Sequence, residues 1–193
     1  MPDPGTPPSG PGPGPATRTG PASGGHPGPV RILFLDADGT LTDGVIVETP
    51  AGDARNFWVR DGLSLLWARH LALLPVVISG RPSAAVESRM RDLGVECYLN
   101  VRNKVEAAER VLAREGARWE ECAMLGDDLP DVPLMKRVGW PIAVADAQPE
   151  VRAVARTVTA RGGGRGAARE VVEMILRHNG TWDQVLRRYE AGE

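Results

Sequence analysis

The stretch ILFLDADGTLTD, residues 32–43, decides the reading of this chain. Ile32, Leu33, Phe34 and Leu35 form the continuous apolar run of a strand buried on both faces, as in a parallel sheet. Open α/β sheets bind their ligands beyond the carboxyl ends of such strands. Asp36 is placed at that end, with Asp38 two positions on, before the chain breaks at Gly39. Two carboxylates about 4 Å apart repel by ~4 kcal/mol at an effective dielectric of about 20. A divalent cation would offset that repulsion, but for a bare pair of acids a polar turn that does no chemistry is the favoured reading. The rest of the chain separates the two readings.

Working outward, short apolar runs at Ile32–Leu35, Val76–Ser79, Cys97–Leu99, Cys122–Leu125 and Ile142–Val144 predict strands. Helical patterns lie between them: Asp61 to about Leu73 with Asp61 as its N-cap, Ser83 to Leu93, Lys104 to Arg114, Asp128 to Val138, and Arg165 to Arg177. Alternation of this kind predicts an α/β fold, a three-layer sandwich around a mainly parallel sheet. Residues 41–59 break the alternation. Two β-rich pieces there flank Thr49-Pro50-Ala51-Gly52, which predicts a β-hairpin directly after strand 1. At the far end, Thr181 to Glu193 carries Trp182, Val185, Leu186 and Tyr189 at helical spacing. This tail is expected to dock through that stripe, on the body or on a neighbouring subunit.

Composition narrows the partners. With 193 residues, 42% of them hydrophobic, the chain can bury one sizeable core. A net charge of −2 offers no basic face for nucleic acid or an anionic membrane, so neither is an expected partner. No run approaches the length of a membrane span and the start lacks the apolar core of a secretory signal, so the cytoplasm is the expected location. Cys97 and Cys122 sit in apolar runs and read as reduced core thiols. Residues 1–29 hold 10 of the 17 prolines and 8 of the 23 glycines, with almost no large apolar side chain. Such a segment buries too little to offset its ordering entropy, and a disordered tail is expected.

Three further polar signals fall after later strands. Ser79 ends PVVIS and precedes Gly80 and Arg81, where a hydroxyl and backbone donors could hold an oxyanion. Lys104 opens a helix beyond the third apolar run and offers a positive charge for a phosphate and for the acids. Gly126, Asp127 and Asp128 close the run Cys122–Leu125, and these carboxylates suit a hard cation such as magnesium. Taken singly, Ser79 reads as a turn residue, Lys104 as a solvated helix start and Asp128 as an N-cap. The order D, S, K, D at successive strand ends points instead to one constellation.

DADGTLTDG, ISGR, Lys104 and GDDLPD together resemble the four signature motifs of the haloacid dehalogenase superfamily. The resemblance implies a Rossmann-like phosphatase domain over residues 30–180, with magnesium as cofactor. It assigns Asp36 as nucleophile and Asp38 as general acid/base, with Ser79 and Lys104 holding the phosphoryl group. Magnesium would lie on Asp36, the backbone carbonyl of Asp38 and Asp127, with Asp128 or Asp131 behind them. The gaps of 43 positions from Asp36 to Ser79 and 25 from Ser79 to Lys104 leave no room for a cap domain beyond the hairpin. FWVRDG at 57–62, VADAQP at 144–149 and GGGRGAAREV at 162–171 are similar to the capless phosphatases of 3-deoxy-D-manno-octulosonate 8-phosphate. That subfamily implies a homotetramer, a phosphorylated sugar acid as substrate, and contacts from Val59, Arg60, Asp61, Gly62, Arg81 and Arg89. The chain departs from that pattern at Trp58 and Leu66, where the subfamily carries a small polar residue and often an arginine. Two other readings are a phosphatase-like module without activity, and a receiver-type regulatory domain. The receiver places its phosphoacceptor on the third strand, whereas here the acids follow the first.

Overall fold

The computed structural model describes residues 28–50 and 52–192. The expected Pro/Gly-rich tail lies outside them, apart from Gly28 and Pro29. The described chain runs β1 (Ile32–Leu35), the pair β2 (Val47–Thr49) and β3 (Gly52–Ala54), α1 (Val59–His70), β4 (Leu74–Ile78), α2 (Ala84–Leu93), β5 (Glu96–Tyr98) and α3 (Lys104–Glu115). It continues through β6 (Cys122–Gly126), a 3-10 turn at Leu129–Asp131, α4 (Val132–Met135), β7 (Trp140–Ala143), α5 (Pro149–Val154), β8 (Thr157–Val158), α6 (Ala167–His178) and α7 (Trp182–Glu190).

Six strands form one parallel sheet in the order β5-β4-β1-β6-β7-β8. The chain winds from β1 outward to β5, then returns to β6 on the other side of β1. Because connections between parallel strands share one hand, this reversal sends the helices to opposite faces. Helix α1 packs against α2 and α6, while α3, α4 and α5 pack in series. Ile32, Leu33, Phe34 and Leu35 are all fully buried between these layers. The crevice where the winding reverses opens beyond β1 and β6, at Asp36 and Asp127.

The three-layer sandwich, the hairpin after β1 and the absence of a cap agree with the sequence reading; several boundaries do not. The predicted helix Asp128–Val138 is a 3-10 turn followed by the one-turn α4, because Pro130 and Pro133 interrupt the backbone donors a longer helix needs. β8 and α5 went unpredicted, being two and six residues long and too short to show a periodicity. Both cysteines are free, with Cys122 buried. No helix among the described residues is long and apolar enough to cross a membrane.

Asp61 is the clearest correction. It is not the N-cap of α1 but lies inside that helix, which starts at Val59. Its carboxylate, 2% exposed, accepts from the backbone N–H groups of Gly166 at 3.1 Å and Arg169 at 2.7 Å. Asp61 therefore caps α6 from α1, satisfying donors that α6 has no side chain of its own to cap. Burial pushes its carboxyl group up, and the two backbone bonds act against that rise. Farther along α1, the Arg169 guanidinium stacks 3.9 Å from the Trp67 ring centroid, and Trp67 Nε1 donates to the Tyr189 hydroxyl at 2.9 Å. Trp182 meets the same ring edge-on at 5.7 Å. The C-terminal helix thus docks on its own body, through Trp182, Val185 and Tyr189, while Leu186 stays 45% exposed. Replacing Asp61 with alanine strands two helix-end donors and is expected to cost about 2–4 kcal/mol in urea unfolding. An unchanged midpoint would contradict the capping role.

Candidate active site

Asp36 continues the β1 ladder by donating its backbone N–H to Leu125 O at 3.0 Å, which fixes its place against β6. The chain then closes a tight turn in which the N–H groups of Thr40, Leu41 and Thr42 all converge on Ala37 O. Gly39 makes that turn possible. Its φ is +92°, and a Cβ there would fall 2.2 Å from Asp127 Oδ2. Gly126 plays a similar part from β6, since a Cβ would meet Asp131 Oδ2 at 2.4 Å. Backbone from both strands can therefore approach the acids closely.

Lys104, the first residue of α3, reaches the same point, with Nζ 2.5 Å from Asp36 Oδ1 and 2.7 Å from Asp131 Oδ1. Asn103, not Lys104, caps this helix, by accepting from Val105 and Glu106. Asp131 in turn accepts from the backbone N–H groups of Asp127 and Asp128, and Thr40 Oγ1 donates to Asp127 Oδ1 at 2.9 Å. Carboxylate oxygens of Asp36, Asp127 and Asp131 all lie within 4.8 Å of one another. Two of the three acids, Asp36 and Asp131, thus pair with the one lysine, while Asp127 is held by Thr40. Burial first, then the charges of Asp36 and Asp131, pushes Asp127 up to about 8. Burial also raises Asp36 to about 6, against the pull of Lys104. Burial alone would lower Lys104, but Asp36 and Asp131 outweigh it and hold the ammonium charged. The uncompensated negative charge and all-oxygen donor set fit a hard divalent cation.

Asp38 stands apart from this cluster. Its Oδ1 accepts from Arg55 Nε at 2.7 Å, and its Oδ2 is buried with no hydrogen-bond partner among the described residues. Arg81 Nε is 3.9 Å from that second oxygen. Ser79 is buried just past β4, with its Oγ accepting from Arg81 N at 3.3 Å. Asp128 caps the 3-10 turn through Leu129 N, so among the late acids it is Asp131 that joins the cluster.

The remaining residues anticipated as substrate contacts are spread out. Val59 is 73% exposed, and Arg60 lines a groove of about 510 Å³ together with Trp58, Leu63 and Arg169. Asp61 is committed to α6. Gly62 packs against Arg89, whose Nη2 would lie 2.4 Å from a Cβ at that position, so this pair seats α1 on α2. Leu66 packs against the core. Sequence reasoning missed Thr40 and Arg55. Thr40 lies within the quoted motif and could have been found there, whereas nothing in the spacing of GDARNF marks Arg55.

The haloacid dehalogenase-like hydrolase family matches residues 95–169. The 3-deoxy-D-manno-octulosonate 8-phosphate phosphatase of Escherichia coli (strain K12) is 39% identical over 157 residues, covering 80% of this chain and 84% of its own. Among solved structures, the phosphatase of that name from Moraxella catarrhalis, in complex with magnesium, phosphate and a KDO molecule, superposes with a TM-score of 0.80. It is 32% identical and covers 83% of this chain and 93% of its own. The Yersinia pestis enzyme of the same name gives 0.78 at 36% identity, with 80% and 84% covered. With DxD just past β1, the lysine opening α3 and the late acids following β6, the chain belongs to the haloacid dehalogenase superfamily, among its capless phosphatases.

Proposed function

We propose that this phosphatase is magnesium-dependent, works through an aspartyl phosphate on Asp36, and hydrolyses a phosphorylated sugar acid such as 3-deoxy-D-manno-octulosonate 8-phosphate. The observation that carries the mechanism is the separation of the two acids of the DxD motif. Asp36 belongs to the charged cluster, and Asp38 lies outside it with one oxygen free of hydrogen bonds.

Asp36 attacks phosphorus, and Lys104 and Ser79 hold the phosphoryl oxygens. Asp38 gives a proton to the leaving alcohol and then takes one from the water that cleaves the aspartyl phosphate. Asp36, Asp127 and the backbone carbonyl of Asp38 would hold magnesium, with Asp131 alongside. When bound, the cation supplies the positive charge that a carboxylate needs in order to approach a phosphate dianion. For the substrate, the support is the name shared by the E. coli and Yersinia relatives and the ligands of the Moraxella structure. Arg81 and Arg60 offer guanidinium groups for a carboxylate, while the indole of Trp58 reshapes the pocket edge. Trp58 keeps open a sialic-acid-like or smaller sugar phosphate as the natural substrate. A homotetramer in which hairpins cover neighbouring sites is part of the proposal, supported by Val45 and Val47, 54% and 51% exposed on the hairpin. A monomer in light scattering would contradict it.

Assayed on a panel of phosphorylated sugar acids, the protein should turn over with magnesium and stop with EDTA. Asp36→Asn should lower kcat by at least ~10⁴-fold. Turnover that survives Asp36→Asn would exclude this nucleophile, and a fully inert wild-type protein would favour the assembly-module reading.

Metal binding should also depend on pH. With Asp36 raised to about 6 and Asp127 to about 8, both from 3.8, the native state keeps protons that the unfolded chain has released. Without metal, stability therefore falls as pH rises through this window. Magnesium competes with those protons, so excess magnesium should raise Tm little at pH 5 and by about 3–6 °C at pH 8. Equal shifts at both pH values would contradict the assignment of the acids.

A further inference from the structure

Arg55 follows the hairpin, and the sequence gives it no marked role. Its side chain is nevertheless only 1% exposed and lies between two acids. Nε donates to Asp38 Oδ1 and Nη1 forms an ion pair with Asp53 Oδ2, both at 2.7 Å. Asp53 Oδ2 also accepts from Ser83 Oγ at 2.6 Å, and Ser83 caps α2 through Val86 N at 3.2 Å. A partly buried chain of contacts thus runs from the capped end of α2, through Asp53 and Arg55, to one oxygen of Asp38. The other oxygen, Oδ2, has no hydrogen bond among the described residues, with Arg81 Nε 3.9 Å away. A guanidinium presents its donors in a rigid planar fork, so gripping Oδ1 while anchored on Asp53 restrains the rotation of the Asp38 carboxylate.

We propose that Arg55 is a positioning residue for phosphoryl transfer: it clamps Asp38 Oδ1 so that Oδ2 is the oxygen that exchanges the proton. The inference rests on Asp38 being the general acid/base. As the Asp36–phosphorus bond forms, the ester P–O bond breaks and its electron pair stays on the ester oxygen. That oxygen takes the proton from Asp38 Oδ2. In the second half, the attacking water gives a proton to Oδ2 as its oxygen bonds phosphorus and the bond to Asp36 breaks. Arg55 touches neither substrate nor phosphorus in these steps. The hairpin, through Asp53 and the Arg55 that follows it, sets the proton donor.

Leaving groups of different basicity test this. An alkyl phosphate needs its leaving oxygen protonated, whereas p-nitrophenyl phosphate releases a stable phenolate without help. For each variant, kcat/KM is measured on both substrates, because it reports the first phosphoryl transfer. Positioned general acids contribute roughly 10²–10⁴-fold. Asp38→Asn should therefore lower the alkyl reaction by about 10² or more and the aryl reaction far less. Arg55→Ala should show the same discrimination at about 10–100-fold on the alkyl ester, with KM little changed, and Arg55→Lys, with a single donor head, should recover part of it. If Asp38→Asn discriminates but Arg55→Ala lowers both substrates equally, or neither, Arg55 is only a structural link and the inference fails. If Asp38→Asn itself does not discriminate, the acid/base reading of Asp38 fails and takes the inference with it. Should Arg55→Ala not fold, Arg55→Lys and Arg55→Gln carry the same comparison.

Discussion

The crowding of Asp36, Asp127 and Asp131 against one another, with a single ammonium group paired to two of them, is the constraint on which the rest of the site depends. Leaving a buried charge without its partner costs several kcal/mol, so Lys104 is held where it must be, at the first residue of α3. Glycines at 39 and 126 let two strand ends approach the acids, and the backbone of Asp127 and Asp128 steadies Asp131. One lysine does not neutralise three carboxylates. Burial holds the carboxyl groups of Asp36 and Asp127 above their ordinary range, so the remaining charge favours a proton or a cation at this site.

The sheet supplies the geometry for this. Because the winding reverses at β1, the ends of β1 and β6 face a common crevice, and residues 87 or more positions apart in sequence meet there, as Thr40 and Asp127 do. Helix α6 follows the last strand, and its first turn is capped by Asp61 from α1. The loop before α6 in turn lies over the DxD turn, with Gly164 N donating to Thr40 O at 2.9 Å. Asp61 of VRDG thus holds the start of α6, and the GGGRG loop holds the DxD turn. Their structural tasks are visible, which places Asp61 in the scaffold of the site.

How much of this could be read from the chain depends on the range of each signal. β1 was legible to the residue, because four consecutive large apolar side chains followed by two acids have few other physical explanations. The order Asp36, Ser79, Lys104, Asp127 was legible because each residue falls at an element boundary. The role of Asp61 was not. Its partners lie more than 100 positions away, and an acid in the first turn of a helix looks like a local cap whichever helix it serves. Arg55 was invisible for a related reason: a lone arginine in a polar hairpin reads as solvated until the fold buries it. Local patterns announce elements and motifs, while long-range hydrogen bonds appear only with the structure.

The central claim is that the phosphoryl group passes through Asp36. The most direct measurement quenches the enzyme with acid during turnover, reduces any acyl phosphate with borohydride, and maps the modified residue by peptide mass spectrometry. The account predicts homoserine at position 36 and nowhere else. Modification at Asp38 or Asp127, or none during sustained turnover, would contradict it.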